Sequence, residues 1–219
     1  MAGVSTAIWG PPLWRILHTI AFVHPDTLRA EAATVVLFLN NLAHVLPCKW
    51  CRTSYAQILR RLPSLETTLA DGRLARWMYD LHTQVNTKLG AVTPKYDAVV
   101  KRFIVRPLQW SPADVWDTIS LFGLNFTPPK RKVYRTFWDT FPTMLRLCGD
   151  VGADERIPDL LASVPFPSTD GGFIATCLVL EAVHQGHAPP WTSPAKVHAR
   201  TRQYAAARAS GGCKSGVCE

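Results

Sequence analysis

Apolar residues in the first ninety positions recur at helical spacing. Trp14, Leu17, His18, Ala21 and Phe22 follow the i, i+3, i+4, i+7, i+8 pattern and share one helical face. Pro25-Asp26 breaks that run, and Asp26 or Thr27 is placed to cap the next helix. Leu28 to Val45 contains no Pro or Gly and predicts one long helix. Pro47 marks the next helix start, which puts Cys48 in the first turn and Cys51 one turn further in. That helix is expected to run to about Arg61, ahead of Pro63. A loop at Asp71-Gly72 leads into a helix over Leu74 to Leu89, which Gly90 stops. Few segments alternate as strands do. The pattern predicts an all-α chain whose first ninety residues form a four-helix bundle.

The second half repeats the landmarks of the first. Trp9-Gly-Pro-Pro-Leu-Trp14 is echoed by Trp110-Ser-Pro-Ala-Asp-Val-Trp116, Leu46-Pro47-Cys48 by Arg146-Leu147-Cys148, and Asp71-Gly72 by Asp170-Gly171. Each offset is near 100, and a constant spacing predicts a duplicated unit. The copy lacks the chemistry of the first half: His18 falls on Ser120, Cys51 near Val151, His82 near Glu181 and Asn86 near Gln185. The expected organisation is a bundle domain over 1–103, a degenerate helical repeat over 104–190, and a flexible basic tail over 191–219 that carries Cys213 and Cys218.

Charge narrows the partners. The 219 residues carry a formal net charge of +8, but the excess is spread out. Residues 1–90 hold 9 Lys or Arg and 5 Asp or Glu, and the rest hold 15 and 11. That spread argues against a dedicated nucleic-acid face. The N-terminus lacks a basic stretch followed by an apolar one, and no apolar run approaches a membrane span, so a cytoplasmic protein without a span is expected. Six cysteines without a secretory pattern favour redox or metal chemistry over a disulfide scaffold.

Cys48-Lys-Trp-Cys51 is the candidate reactive pair. Alone, such a pair is a zinc half-site, a dithiol or a coincidence. Zinc needs four ligands, and only Cys213 and Cys218, at an unusual spacing, could complete a set; no metal is expected. Thioredoxin-like chemistry needs flanking strands, and helices flank the pair instead. At a helix start the thiolate is favoured by unpaired backbone N–H groups. Cys48 is expected to face solvent and Cys51 the bundle interior. Trp14 with His18, and His82 with Asn86, each lie i, i+4 on one face, with Trp77 earlier on the second helix and Val85 between the second pair. Two such faces converging on the dithiol can stack on and hydrogen-bond a flat aromatic cofactor, and Lys88 adds charge suited to a pyrophosphate.

The order Trp14-x-x-Leu17-His18, then CxxC, then Trp77-x4-His82-x2-Val85-Asn86-x-Lys88-Leu89-Gly90 resembles the flavin-linked sulfhydryl oxidases of the Erv/ALR type. The likeness covers residues 9–90, and Pro94 to Phe103 resembles the short fifth helix of that family. It implies a four-helix bundle holding FAD, usually as a homodimer, that oxidises protein dithiols to disulfides and reduces O2 to H2O2. It implies Gly10, Trp14 and His18, with Trp77, His82, Val85, Asn86 and Lys88, as cofactor contacts. Cys48 is then the interchange cysteine and Cys51 the flavin-proximal one. Cys213 and Cys218 resemble in kind the family's shuttle dithiol, and Cys148 and Cys177 have no implied catalytic role. Thr83 stands where the family usually has Asn, Pro11 where cellular members often have Arg, and the additional structural cysteines are missing from 1–90. The compact core and appended copy look most like members encoded by large DNA viruses, which implies the host cytoplasm or the virion, with the mitochondrial intermembrane space as the alternative. A helical interaction protein that keeps the bundle without flavin is the competing function.

Overall fold

Ser5 starts the first helix. Its hydroxyl accepts the Ala7 N–H at 3.3 Å, and α1 (Thr6–Ala21) follows, with Pro11 and Pro12 inside it. The computed structural model describes residues 5–105, 110–123, 125–148, 154, 156–167, 170–184 and 186. Cys213 and Cys218, and the tail that holds them, lie outside the described residues, as do Val151 and Gln185.

The long helix expected over Leu28 to Val45 is two helices, α2 (Pro25–Ala30) and α3 (Ala32–Val45), separated at Glu31, whose φ of −109° and ψ of 21° leave the helical range. The break lets α2 pack on α5 (Leu65–Ala70) and on the turn after it. Gly72 in that turn has φ +67°, and a Cβ there would meet Pro25 Cβ at 3.2 Å, so glycine is required both by backbone and by space. The cap of α2 is His24, whose Nδ1 accepts the Asp26 N–H, rather than Asp26 or Thr27.

α4 (Lys49–Leu59) begins two residues later than Pro47 suggests, so Cys48 is its N-cap rather than a first-turn residue. α6 (Leu74–Leu89) ends at Gly90 with φ +67°, at the expected boundaries, and α7 (Tyr96–Val105) comes next. α6 lies against both α1 and α4, and α4 against α3. The bundle therefore has its four main helices, with α2 and α5 as short additions.

The second half contributes α8 (Pro112–Gly123), a 3-10 turn (Pro128–Lys130), α9 (Arg131–Arg146), α10 (Arg156–Ala162) and α11 (Asp170–His184). No strand occurs among the described residues, and none of the described helices is long and apolar enough to cross a membrane. α8 packs along α1 and α9 along α3. Helices about 100 residues apart in the sequence thus lie side by side. Phe38 of α3 meets Phe137 and Phe141 of α9 with ring centroids 5.8 and 5.9 Å apart. Asn41, buried at 6% exposure, donates to the Val133 carbonyl at 2.8 Å. One apolar cluster runs through both halves, from Ile16, Ile20 and Leu42 to Trp116, Ile119 and Met144. Cys148 and Cys177 are buried in it, and neither forms a disulfide.

Ser111 and Asp114 form a reciprocal cap at the start of α8: Asp114 Oδ2 accepts the Ser111 N–H at 2.7 Å, and the Asp114 N–H reaches Ser111 Oγ at 3.3 Å. The same carboxylate takes the Arg15 guanidinium of α1. Burial alone would raise the Asp114 pKa; the Arg15 and Ser111 hydrogen bonds outweigh it and hold the carboxyl below its usual range.

Candidate active site

The turn at the start of α4 sets its two sulfurs side by side in different surroundings. Cys48, in an extended conformation, accepts the Cys51 N–H on Sγ at 3.3 Å. Cys51, one turn into the helix, lines a cavity of about 810 Å³ enclosed by residues of α1, α4, α6 and α7. The expectation of a solvent-facing Cys48 is corrected here, because the residue is 1% exposed. The second half reaches the segment that leads into it. Val45, Leu46 and Pro47 are buried too, and Asn125 Nδ2 donates to the Pro47 carbonyl at 2.8 Å.

The sulfurs are electrostatically unequal. The Cys48 thiol is lowered to about 6, first by the hydrogen bond from the Cys51 thiol and then, against burial, by the Cys51 and Trp50 N–H groups and the Arg52 charge. Cys51 is raised, because it gives that hydrogen bond, is buried, and faces the Cys48 charge; Lys88 and Arg52 oppose the rise. At neutral pH the reduced pair therefore carries its negative charge on Cys48 and its shared proton on Cys51.

Two imidazoles form part of the cavity wall. His18 Nε2 and His82 Nδ1 are 2.8 Å apart, one ring donating and the other accepting. Burial lowers His82 to about 4, and burial with the neighbouring His82 lowers His18 to about 4, so both are neutral at pH 7. Trp14 stacks on His82 with centroids 3.8 Å apart and planes 2° from parallel. Phe103 of α7 packs against His18 at 5.5 Å.

Seven of the eight positions that the family likeness points to line this one cavity: Gly10, Trp14, His18, His82, Val85, Asn86 and Lys88. Trp77 does not. It is 3% exposed, and its Nε1–H donates to the Pro63 carbonyl at 3.0 Å, which anchors α6 to the loop before α5. The arrangement fits a flat, phosphate-bearing cofactor on three counts. Gly10 is buried, yet a Cβ there would meet nothing within 4 Å among the described residues, so the space beside it is open. The walls are mainly apolar and aromatic, as cofactor sites are. Lys88 and Arg102 supply positive charge at the cavity, with Lys88 Nζ held on Ser54 Oγ at 2.6 Å.

Several lining residues were not anticipated. Ser54 and Tyr55 lie three and four residues after Cys51, so helical spacing alone could have placed them beside it. Tyr55 is buried, and its hydroxyl donates to the Leu39 carbonyl at 2.9 Å. Arg15, Tyr79 and Phe103 carry no local signal, and only the packing of α1, α6 and α7 brings them in.

Residues 11–104 match the Erv1/Alr family. A mitochondrial FAD-linked sulfhydryl oxidase of Saccharomyces cerevisiae is 32% identical over 90 residues, covering 40% of this chain and 45% of the relative. A probable FAD-linked sulfhydryl oxidase of Acanthamoeba polyphaga mimivirus is 26% identical over 137 residues, 62% of this chain and 82% of the relative. An FAD-linked sulfhydryl oxidase of Arabidopsis thaliana is 28% identical over 82 residues, 37% of this chain and 42% of the relative. The chain thus spans less than half the length of the yeast and plant relatives and most of the viral one. No solved structure matches it with significance.

Proposed function

We propose, from the premise that residues 11–104 are an Erv1/Alr-family domain, that this chain is an FAD-dependent thiol oxidase that forms disulfide bonds in protein substrates and delivers the electrons to O2. The observation that carries the reading is the position of Cys51: its side chain lines the cavity, while Cys48, whose sulfur is hydrogen-bonded to it, is buried and is not among the lining residues. Such a pair can receive electrons at one sulfur and release them at the other. The sulfhydryl oxidases that resemble residues 11–104 are named as FAD-linked, and the cavity has the lining and the charge for that group.

When bound, FAD supplies a two-electron acceptor that O2 reoxidises with formation of H2O2. The chain's own residues do the rest. With the pair oxidised, a substrate thiolate attacks Cys48 Sγ; the Cys48–Cys51 bond breaks, and Cys51 leaves as the thiolate. The second substrate thiol, as its thiolate, then displaces Cys48 from the mixed disulfide. The substrate gains one disulfide, and the cysteine pair gains two electrons. Arg52 and Lys88 favour the anionic sulfur at Cys51 as it departs. Lys88, held by Ser54, and Arg102 bind negative charge on the cofactor. Trp14, His18 and His82 offer it a flat, dry wall.

The test is spectroscopic and kinetic. The purified chain should absorb as a flavoprotein with about one FAD per chain, because the second half lacks counterparts to Cys51 and His82. It should consume O2 and release H2O2 with dithiothreitol. Cys51→Ala should abolish that turnover while flavin stays bound, since the sulfur that lines the cavity is the electron exit. A colourless, well-folded protein would sink the proposal and favour the interaction-protein reading; full turnover by Cys51→Ala would sink the assigned route.

A further inference from the structure

The last carbonyls of a helix have no partner within it and must find one elsewhere. At the C-terminal end of α3 and in the link to α4, three consecutive carbonyls are capped by side chains. The Tyr134 hydroxyl donates to Val45 at 3.4 Å, the Arg52 guanidinium to Leu46 at 2.5 Å, and the Asn125 amide to Pro47 at 2.8 Å. Only Arg52 comes from the first half. The other two donors stand 89 and 78 residues further along the chain. They close over the segment Val45 to Cys48, which is buried throughout. The Pro47 carbonyl belongs to the peptide plane that leads directly into Cys48, so its orientation helps set the Cys48 backbone. Cys48 in turn must keep that backbone for Sγ to receive the Cys51 N–H.

From this geometry, and resting on the thiol-oxidase reading, we infer that the second helical unit is a working part of the dithiol site. Asn125 is a positioning residue that holds the turn carrying Cys48. The segment from Asn125 to Lys130 walls the approach to that sulfur, so the substrates it admits are dithiols on extended or unfolded segments and small dithiols, not cysteines set in a folded surface.

Two further observations support the wall. Lys130 is half-buried, and burial first and the Arg52 charge second lower its pKa, which puts it in the neighbourhood of the side chain that caps Leu46. Exchange at Cys48 requires the incoming sulfur to approach along the line of the breaking S–S bond. A sulfur at 1% exposure offers no such line to a broad protein face, whereas a narrow chain can enter after a small displacement of the wall.

The experiment uses the full-length chain with Asn125→Ala, Asn125→Asp, which keeps the shape but removes the donor, and Asn125→Gln, which keeps the amide. Three quantities are read: the iodoacetamide alkylation rate of Cys48 in the reduced protein, the equilibrium of the Cys48–Cys51 pair with glutathione, and the ratio of kcat/KM for an unfolded cysteine-pair peptide to that for a folded protein with a surface dithiol. Asn125→Ala and Asn125→Asp should raise Cys48 alkylation roughly five-fold, the factor set by one lost neutral hydrogen bond. They should shift the glutathione equilibrium by a similar factor and narrow the preference for the peptide, and Asn125→Gln should restore part of each. Unchanged or slower alkylation with an unchanged equilibrium, in variants whose circular dichroism matches the parent, would overturn the inference. If Asn125→Ala does not fold, Lys130→Ala, at a partly exposed position, must still narrow the substrate ratio or the wall is refuted. Alkylation and the glutathione equilibrium need no flavin, so they decide the role of Asn125 even if the chain proves not to be an oxidase; absence of flavin and O2 consumption in the parent would refute that reading alone.

Discussion

Two neutral imidazoles 2.8 Å apart in a buried wall cannot both take up a proton without bringing like charges into contact. Their folded pKa values, about 4, lie below the ordinary value of 6.5, so the unfolded chain binds more protons between those limits. Stability from His18 and His82 is therefore fully present above about pH 6.5 and is lost as pH falls toward 4. At constant flavin content, the melting temperature should decline over that window, and His82→Gln should flatten the slope; a flat parent profile would contradict the coupling. The sulfur pair titrates in the opposite sense of use. With Cys48 lowered to about 6, its alkylation rate should rise with pH to a midpoint near 6, against about 8.5 for an ordinary thiol. A midpoint near 8.5 would mean that the Cys51 thiol, the N–H groups and Arg52 do not hold the thiolate. Both predictions concern residues whose identity the sequence discloses but whose protonation depends on burial.

At the level of elements, the chain divides where special backbone conformations or caps occur. Gly90 and Gly72 are the two described positions with φ near +67° in the first half. Only Gly72 also lacks space, with Pro25 of α2 pressed on it. Gly72→Ala should cost about 1–2 kcal/mol by denaturant melting, from the left-handed backbone and the contact together. Gly90→Ala, which meets no neighbour, should cost less, and equal losses would remove the role of the α2 contact. The start of α8 shows a cap put to a second use: the carboxylate that closes the Ser111 turn also grips Arg15 of α1. Asp114→Ala should therefore cost about 2–3 kcal/mol, the range for charge-assisted hydrogen bonds, against about 1 kcal/mol for a cap alone. A loss at the lower figure would show that the α1 contact adds nothing.

Across the whole molecule, the two halves share one core rather than touching as separate bodies. α9 covers the face of α3 that carries Phe38 and Asn41, and α8 covers α1. A chain ending after residue 105 would expose that face, and it should self-associate or precipitate, as contiguous apolar patches do; a monodisperse monomer with the parent's melting temperature would contradict a shared core. The helices of the bundle were legible because their apolar residues repeat at helical spacing and because Gly90 marks a stop. Four of the lining residues, Trp14, His18, His82 and Asn86, were legible for a related reason: i, i+4 spacing sets side chains on one face whatever the tertiary contacts; Val85 falls between the second pair, Lys88 was marked by its charge, and Gly10 by the family likeness alone. Trp77 has the same spacing logic, yet it faces the Pro63 carbonyl and not the cavity, because periodicity places a residue on a face but does not say what that face meets. The split of α2 from α3 was hidden for the same reason, since it answers to Gly72 some forty residues away. By itself the sequence determined the all-α class, the helix positions, the dithiol and most of one cavity wall, all of which follow from local spacing and backbone preference. The tertiary structure alone decided that Cys48 is buried and that Asn125 and Tyr134 cap the carbonyls before it, because these depend on groups 78 and 89 residues apart that no local period connects.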